Sequence, residues 1–345
     1  MSQSRTSTLL VSTAALAIVI AAIKAANDIV GPVMLALALT IVFHPLRVRL
    51  ERRLPSWATS VVVLVLAYVL ILGLTFALVI SLGRLATLIP TYAPDVDDMV
   101  AAIGDQLESL GVSTHQVEAV EGAMDPGRLT DAITGFLSGI LSVLSDLFFL
   151  VALLLFLAFD SARTSPLAKG ARAHRAELVD ALAGFADGTR TYLGVSAVFG
   201  LIVAVIDTAV LWALGIPGAF IWGVLAFVTN FIPNIGFVIG VIPPAIIGLL
   251  EGGPSLMIAV IVLYSVINVI IQSIIQPRYV GQAVGLSTSL TFLSLVFWAW
   301  ILGPIGALLA VPMSLLVRAV LIDADPERAW MQPLISGDPV EPAAT

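Results

Sequence analysis

Cysteine is absent from all 345 residues. No disulfide, thiolate nucleophile or Cys-ligated metal site is therefore available. Charge is also scarce. Asp, Glu, Lys and Arg make up 11% of the chain, where a soluble domain carries about 25%. The 16 basic residues mostly flank apolar runs, so no basic surface suits nucleic acid. His44, His115 and His174 stand apart in different regions and do not make a metal site. HExxH, GxSxG and a phosphate-binding P-loop are all missing, which leaves ATP-driven transport without support. No cofactor or metal is expected, and the chain is not read as an enzyme.

What is present is apolar: 59% of residues are hydrophobic. Alternation is weak and the apolar runs are long and unbroken, which argues against an outer-membrane barrel. The fold class expected is an all-α polytopic membrane protein. The net charge of −7 is segregated along the chain, and that segregation gives the topology.

Residues 8–26 form the first apolar run. A second follows at once at 29–46, so a retained span is expected rather than a cleaved signal. Lys24 and Asp28 are four apart and can pair. Arg47, Arg49, Arg52 and Arg53 then crowd one short loop, which marks the cytoplasmic side. Residues 57–83 run outward. Residues 86–137 carry nine acidic residues, Asp95 to Asp131, against Arg128 alone. They read as external amphipathic helices with a solvated face. Residues 138–159 return inward. The stretch 160–190 holds Arg163, Lys169, Arg172, Arg175 and Arg190 and reads as a cytoplasmic amphipathic helix. Residues 191–214 form the fifth span, and 255–275 the sixth.

Two apolar runs do not fit a simple span. Residues 218–250 would make one straight helix about 50 Å long, against a hydrocarbon core of about 30 Å. Pro233, Asn234 and Gly236 break that run in the middle, leaving arms of roughly 22 Å. A hairpin that enters and leaves on the same side satisfies those lengths. Its turn must sit in protein or line a polar cavity, because lipid satisfies no backbone groups. The run 290–317 is likewise long and is broken by Gly303, Pro304 and Gly306. The chain thus reads as six full transmembrane helices plus two re-entrant hairpins, with eight spans as the rival count. Either count leaves both termini cytoplasmic.

The two broken runs resemble each other: Ile232-Pro233-Asn234-Ile235-Gly236 and Leu302-Gly303-Pro304-Ile305-Gly306. A full span precedes each, in opposite orientation. An inverted repeat with discontinuous helices is a transporter signature. The organisation expected is a three-span bundle at 1–85 and an external segment at 86–137. A fourth span with a cytoplasmic helix follows at 138–190. The inverted-repeat core covers 191–322, and a tail covers 323–345.

Polar residues at membrane depth are costly and mark candidate sites. Asp207 lies in GLIVAVIDTAVLWALG beside Thr208 and reads as an ion or proton coupling group, as an interfacial carboxylate near the outer surface, or as a buried polar pair. Asp146 lies four after Ser142 and reads as a structural bond. Ser265, Asn268, Gln272 and Gln276 share one helical face, which lines a pathway or bonds a neighbouring helix. Asn230 and Asn234 flank the first break, where they suit a polyhydroxylated ligand or cap a helix. Gly236 and Gly306 permit positive φ or close backbone approach. The solute site expected comprises Asn230, Pro233, Asn234, Gly236, Asn268, Gln272, Gly303, Pro304 and Gly306.

At these residues the chain resembles the autoinducer-2 exporter family. The matching stretches are FIPNIGFVIGVIPP at 231–244, QPRYVGQAVGLS at 276–287 and WILGPIGALLAVP at 300–312. The resemblance covers most of the chain and is specific mainly from about 190 to 320. It implies export of the furanone quorum signal autoinducer-2, or sodium/proton exchange as in some members. It also implies a pentameric homo-oligomer with opposed hairpins in the bacterial inner membrane. The expectation is a transporter of a small polar solute working by alternating access, with sodium or proton as a coupling partner. A sodium/proton antiporter using Asp207 is the alternative within transport. A non-transporting membrane scaffold is the alternative outside it.

Overall fold

No proline interrupts residues 176–213, and that stretch forms one continuous 38-residue helix. In the computed structural model this helix is the frame on which the rest is assembled. The structure describes residues 5–77, 147–233, 235–276 and 285–336, with isolated residues at 79, 80, 83, 127, 131, 135 and 138. His115, Ser142, Asp146, Asn234 and nearly all of the acidic segment lie outside the described residues.

The N-terminal helices are α1 (Arg5–Ala25), α2 (Asn27–Glu51) and α3 (Ser56–Ala77). Helix α4 (Leu147–Arg172) and the frame helix α5 (Ala176–Ala213) follow. Then come α6 (Ala219–Thr229), α7 (Gly236–Asn268), α8 (Thr288–Leu308), α9 (Ala310–Arg318) and a short α10 (Gln332–Ser336). No strand occurs among the described residues. Five described segments are long and apolar enough to cross a membrane: α2, α3, α5, α7 with its π-helical extension, and α8. The protein is an all-α membrane protein.

Helix α5 shows why. Thr189, Tyr192, Ser196, Gly200, Val203, Asp207 and Leu211 recur at helical spacing and are buried. Val198, Leu201, Val205 and Trp212 are exposed. Polar groups face protein and apolar groups face outward, the reverse of a soluble helix. The sequence pattern separated a surface helix before 190 from a span beginning at 191. The two are one helix here, because neither Gly184 nor Gly188 is a strong enough breaker without proline nearby.

Helices α6 and α7 form an antiparallel pair joined at 230–235. Small residues let them touch. A Cβ at Gly240 would lie 3.0 Å from Thr229 Oγ1 and 3.6 Å from Ala226 Cα. A Cβ at Gly236 would collide with the Thr229 carbonyl oxygen. Helix α7 then bends at Gly252 and Gly253, the latter at φ 70°. Beyond the bend the chain folds back: Gly248 lies against Val260, Leu256 and Ile216. The start and the end of this pair therefore sit side by side. A π-helical stretch, Val269–Ile275, completes the returning helix.

Helices α8 and α9 repeat the arrangement. Gly303, at φ 64°, interrupts α8. Trp298 Nε1 donates to Ser314 Oγ at 3.0 Å, and Ser314 Oγ donates to Ser294 Oγ at 2.7 Å. A Cβ at Gly306 would collide with the Trp298 carbonyl oxygen and lie 2.8 Å from Leu302 Cβ. The chain closes on itself beyond α9, where Arg318 Nη1 donates to the Gly285 carbonyl at 2.7 Å and the Ser287 amide to Ile335 at 2.8 Å.

One apolar cluster ties these parts together. It joins Ala38 and Ile41 of α2, Phe185 and Leu193 of α5, and Trp298, Leu302 and Leu309 of the α8–α9 pair. Phe231, Ile232 and Ile235 of the first tip pack against the same cluster. Ala36, Ala67, Leu150 and Leu154 join α2, α3 and α4 separately. Lys24 lies over the Trp300 ring at 3.7 Å, a cation–π contact in place of the expected pairing with Asp28.

Among the glycines at the two breaks, positive φ belongs to Gly303 alone. Gly236 and Gly306 are glycine because a carbonyl oxygen occupies the Cβ position, so the expected φ reason does not apply to them. Alanine is then no milder than a larger residue in kind, since its own Cβ makes the collision. Gly236→Ala and Gly306→Ala should each destabilise the protein by about 1–3 kcal/mol, the usual range for overpacking. Gly73→Ala, which meets open space, should be close to neutral. Thermal unfolding in detergent measures this; equal midpoints for all three would remove the close-approach account.

Candidate functional site

Of the expected solute-site residues, the structure joins three directly. Asn230 ends α6 and is buried. Its Nδ2 donates to the Ser196 carbonyl of α5 at 2.9 Å. Its Oδ1 accepts from Gln272 Nε2 at 2.8 Å. Gln272 Nε2 also donates to Asn268 Oδ1 at 2.6 Å, and Asn268 Nδ2 donates to the Tyr264 carbonyl at 2.9 Å. One chain of amides thus runs from α5, through the first tip, to the returning helix.

The backbone explains the geometry. Gln272 lies inside the π-helical stretch, where one residue is added to the turn. Gln272 is half-buried, and its Oε1 accepts no bond among the described residues. Asn230 lies so close to α5 that a Cβ on Gly200 would come within 2.8 Å of its Nδ2. Only glycine at 200 admits the amide.

The first tip is held by a second bond. Tyr192 OH donates to the Phe231 carbonyl at 3.1 Å. That bond satisfies a carbonyl freed by the break, which the membrane cannot do. Pro233 is half-buried and Gly236 is fully buried against Thr229. In the second pair Gly303 is half-buried, Pro304 is exposed and Gly306 is buried against Trp298. These five residues shape the turns. No hydrogen bond joins them to the amide chain.

Asp207 is a further polar group at depth, and an ionisable one. It has no exposed surface. Neither carboxylate oxygen has a hydrogen-bond partner among the described residues. Tyr264, 1% exposed, likewise leaves its hydroxyl unpartnered there. Leu211, four residues after Asp207 on α5, belongs to the same buried cluster as Tyr264. Thr208 donates instead to the Ala204 carbonyl at 2.6 Å, so it does not satisfy its neighbour. Beside Thr208 opens a cavity of about 600 Å³, lined by Phe76, Trp212, Ile216, Phe220 and Val224 among others. His44 and His174 are exposed. No group of three or more metal-ligating side chains occurs among the described residues.

Sequence reasoning singled out Asn230, Asn268, Gln272 and Asp207. It missed Tyr192, Ser196 and Tyr264. Ser196 and Tyr192 lie four apart on the face of Asp207's own helix, and that period was the available signal. Tyr264 is four before Asn268, and a reading that counts only serine and amide side chains passes over it.

Comparison with known proteins agrees with this architecture. Residues 13–324 match the model of the AI-2E family transporter family. The chain is 31% identical over 308 residues to the AI-2 transport protein TqsA of Escherichia coli K12, covering 89% of each protein. It is 30% identical over 311 residues to the putative transport protein YhhT of the same organism, covering 89% of this chain and 88% of that one. A more distant relative is the putative transport protein YrrI of Bacillus subtilis, 24% identical over 251 residues, covering 71% of this chain and 70% of that one. An all-helical membrane bundle with two broken helix pairs, matched along nearly its whole length, makes this chain a member of the AI-2E family of transporters.

Proposed function

We propose that this chain exports a small polar solute such as autoinducer-2, binding it at the amide chain of Asn230, Gln272 and Asn268. The observation that carries this reading is that a hydrogen-bonded amide network links a helix break to the returning helix. A polyhydroxylated solute needs donors and acceptors in a wall otherwise apolar. Gln272 Oε1 and the half-buried turn at Pro233 offer such a wall. The Escherichia coli relative's name supports the substrate class.

The broken pairs α6–α7 and α8–α9 are proposed as inverted re-entrant hairpins, with Asn234, Gly303, Pro304 and Gly306 completing the two tips. Side-by-side packing of Ile216, Gly248 and Val260 supports re-entry of the first, because both ends of the pair lie at one level. Alternating access then moves the hairpin-bearing unit against α1–α4. We propose further that the protein lies in the inner membrane with both termini cytoplasmic and works as a homo-oligomer, a reading that family likeness supports. Asp207 gives a second reading, sodium/proton antiport, since an unpartnered carboxylate at depth is an ion-coupling group by default.

Three experiments test these points. External autoinducer-2 should rise in cells overexpressing the protein and fall in a deletion strain; the same distribution in both would reject the substrate. Gln272→Leu should lower export roughly tenfold, since loss of a buried hydrogen-bonding partner is worth about 1–3 kcal/mol. Val198→Ala, on the outer face of α5, should leave export unchanged. For topology, the chain has no native cysteine, so single introduced thiols report cleanly. Ser255→Cys should react with an impermeant maleimide from outside intact cells, and Ser289→Cys should be protected. The reverse pattern would establish eight spans.

A further inference from the structure

We infer that Asp207 and Tyr264 form a proton site, and that the proton rather than sodium is the ion coupled to transport. The inference rests on the transporter reading above and names its coupling ion. Three oxygen atoms, both of Asp207 and the hydroxyl of Tyr264, are buried without a hydrogen-bond partner among the described residues. Native proteins pair nearly all such atoms, so three together mark a place where something is exchanged. An unaccompanied carboxylate costs several kcal/mol in such a place. A proton or a cation must therefore accompany it in at least one state.

The backbone around the site decides between them. Transporters that hold sodium at this depth use unwound backbone carbonyls and half-helix ends. Asp207 sits inside the unbroken helix α5. Tyr264 sits in the regular part of α7, eleven residues past the bend at Gly253. Carbonyls in both places are already used within their helices. Helix α6 seals the site from the side, where a Cβ on Gly223 would lie 2.8 Å from the Ala204 carbonyl. Two carboxylate oxygens and one phenol do not complete the shell of a hard cation. They do suffice for a proton.

The ionisable surroundings are simple. Helix α6 carries no ionisable side chain. Helix α7 carries Glu251 and Tyr264, and Glu251 is exposed at the bend. Tyr264 belongs to a buried cluster that also holds Leu211, Trp222, Leu225 and Val260. The cavity of about 600 Å³ reaches Thr208, the next residue to Asp207, while Asp207 itself has no exposed surface. In the other direction, the Tyr264 carbonyl accepts the last bond of the amide chain. A proton arriving at Asp207 thus acts on the segment that anchors Asn268 and Gln272. No covalent chemistry is involved: the carboxylate accepts one proton and later releases it.

Infrared difference spectroscopy of the full-length protein in lipid vesicles tests this without any solute. Between alkaline and acidic buffer, the wild type should gain the carbonyl band of a protonated, buried carboxylic acid. Asp207→Asn should lose that band, Asp207→Glu should keep one at a shifted frequency, and Tyr264→Phe should shift its pH midpoint. Replacing potassium with sodium chloride at fixed pH should leave the band unchanged. A wild type without the band, a band retained in Asp207→Asn, or a band removed by sodium would overturn the inference. Should Asp207→Asn fail to fold, the glutamate shift decides alone. Failure of autoinducer-2 export leaves this result standing, so the two readings fail separately.

Discussion

A backbone group that is freed inside a membrane has to find its partner in the protein, and most of this structure follows from that. The break after α6 frees carbonyls and amides where water is absent. Tyr192 answers one carbonyl, at Phe231. The tip in turn sends Asn230 back to the Ser196 carbonyl. Both bonds land on α5, four residues apart. That helix must then be straight, continuous and polar along its inner edge. Its 38 unbroken residues and its buried Thr189, Tyr192, Ser196 and Asp207 are the consequence.

Close packing takes over where the hydrophobic effect is weak. Between helices in lipid, association comes from van der Waals contact and hydrogen bonds, so small residues concentrate at interfaces. Gly200 admits the Asn230 amide, Gly223 admits the α5 backbone, and Gly236 and Gly240 admit the arm of the same pair. The second pair solves the same problem with Gly306 against Trp298. It differs at the turn itself, where Gly303 adopts a positive φ that Gly236 of the first pair does not. Equivalent spacing in sequence thus conceals two kinds of turn.

Polar groups at depth fall into two classes. The amide chain from Ser196 to Tyr264 is satisfied at each link. A satisfied network is rigid and fixes the relation of the tip to the returning helix. Asp207 and the Tyr264 hydroxyl are unsatisfied among the described residues. Leaving them so costs free energy that packing elsewhere must offset. The links of the chain hold its shape while Gln272 uses only its Nε2 in them, and the unsatisfied pair likewise keeps the capacity to take up something new.

The sequence alone determined what depends on neighbours in the chain. Run length against bilayer thickness, the breakers at Pro233 and Gly303, and the four-residue spacing of Asn268 and Gln272 are all local quantities. They located the helices, both broken pairs and one polar face. The continuity of α5 was misread because arginine clusters signal topology and do not end helices. Partners were decided by the tertiary structure. Asn230 meets Ser196 across 34 positions, and Tyr192 meets Phe231 across 39. No periodicity encodes such pairs, because they arise only when packed helices bring distant faces together. The same holds for Gly236 and Gly306. That they are glycine is written in the chain, but the carbonyl that forbids a side chain appears only once the arms are folded against each other.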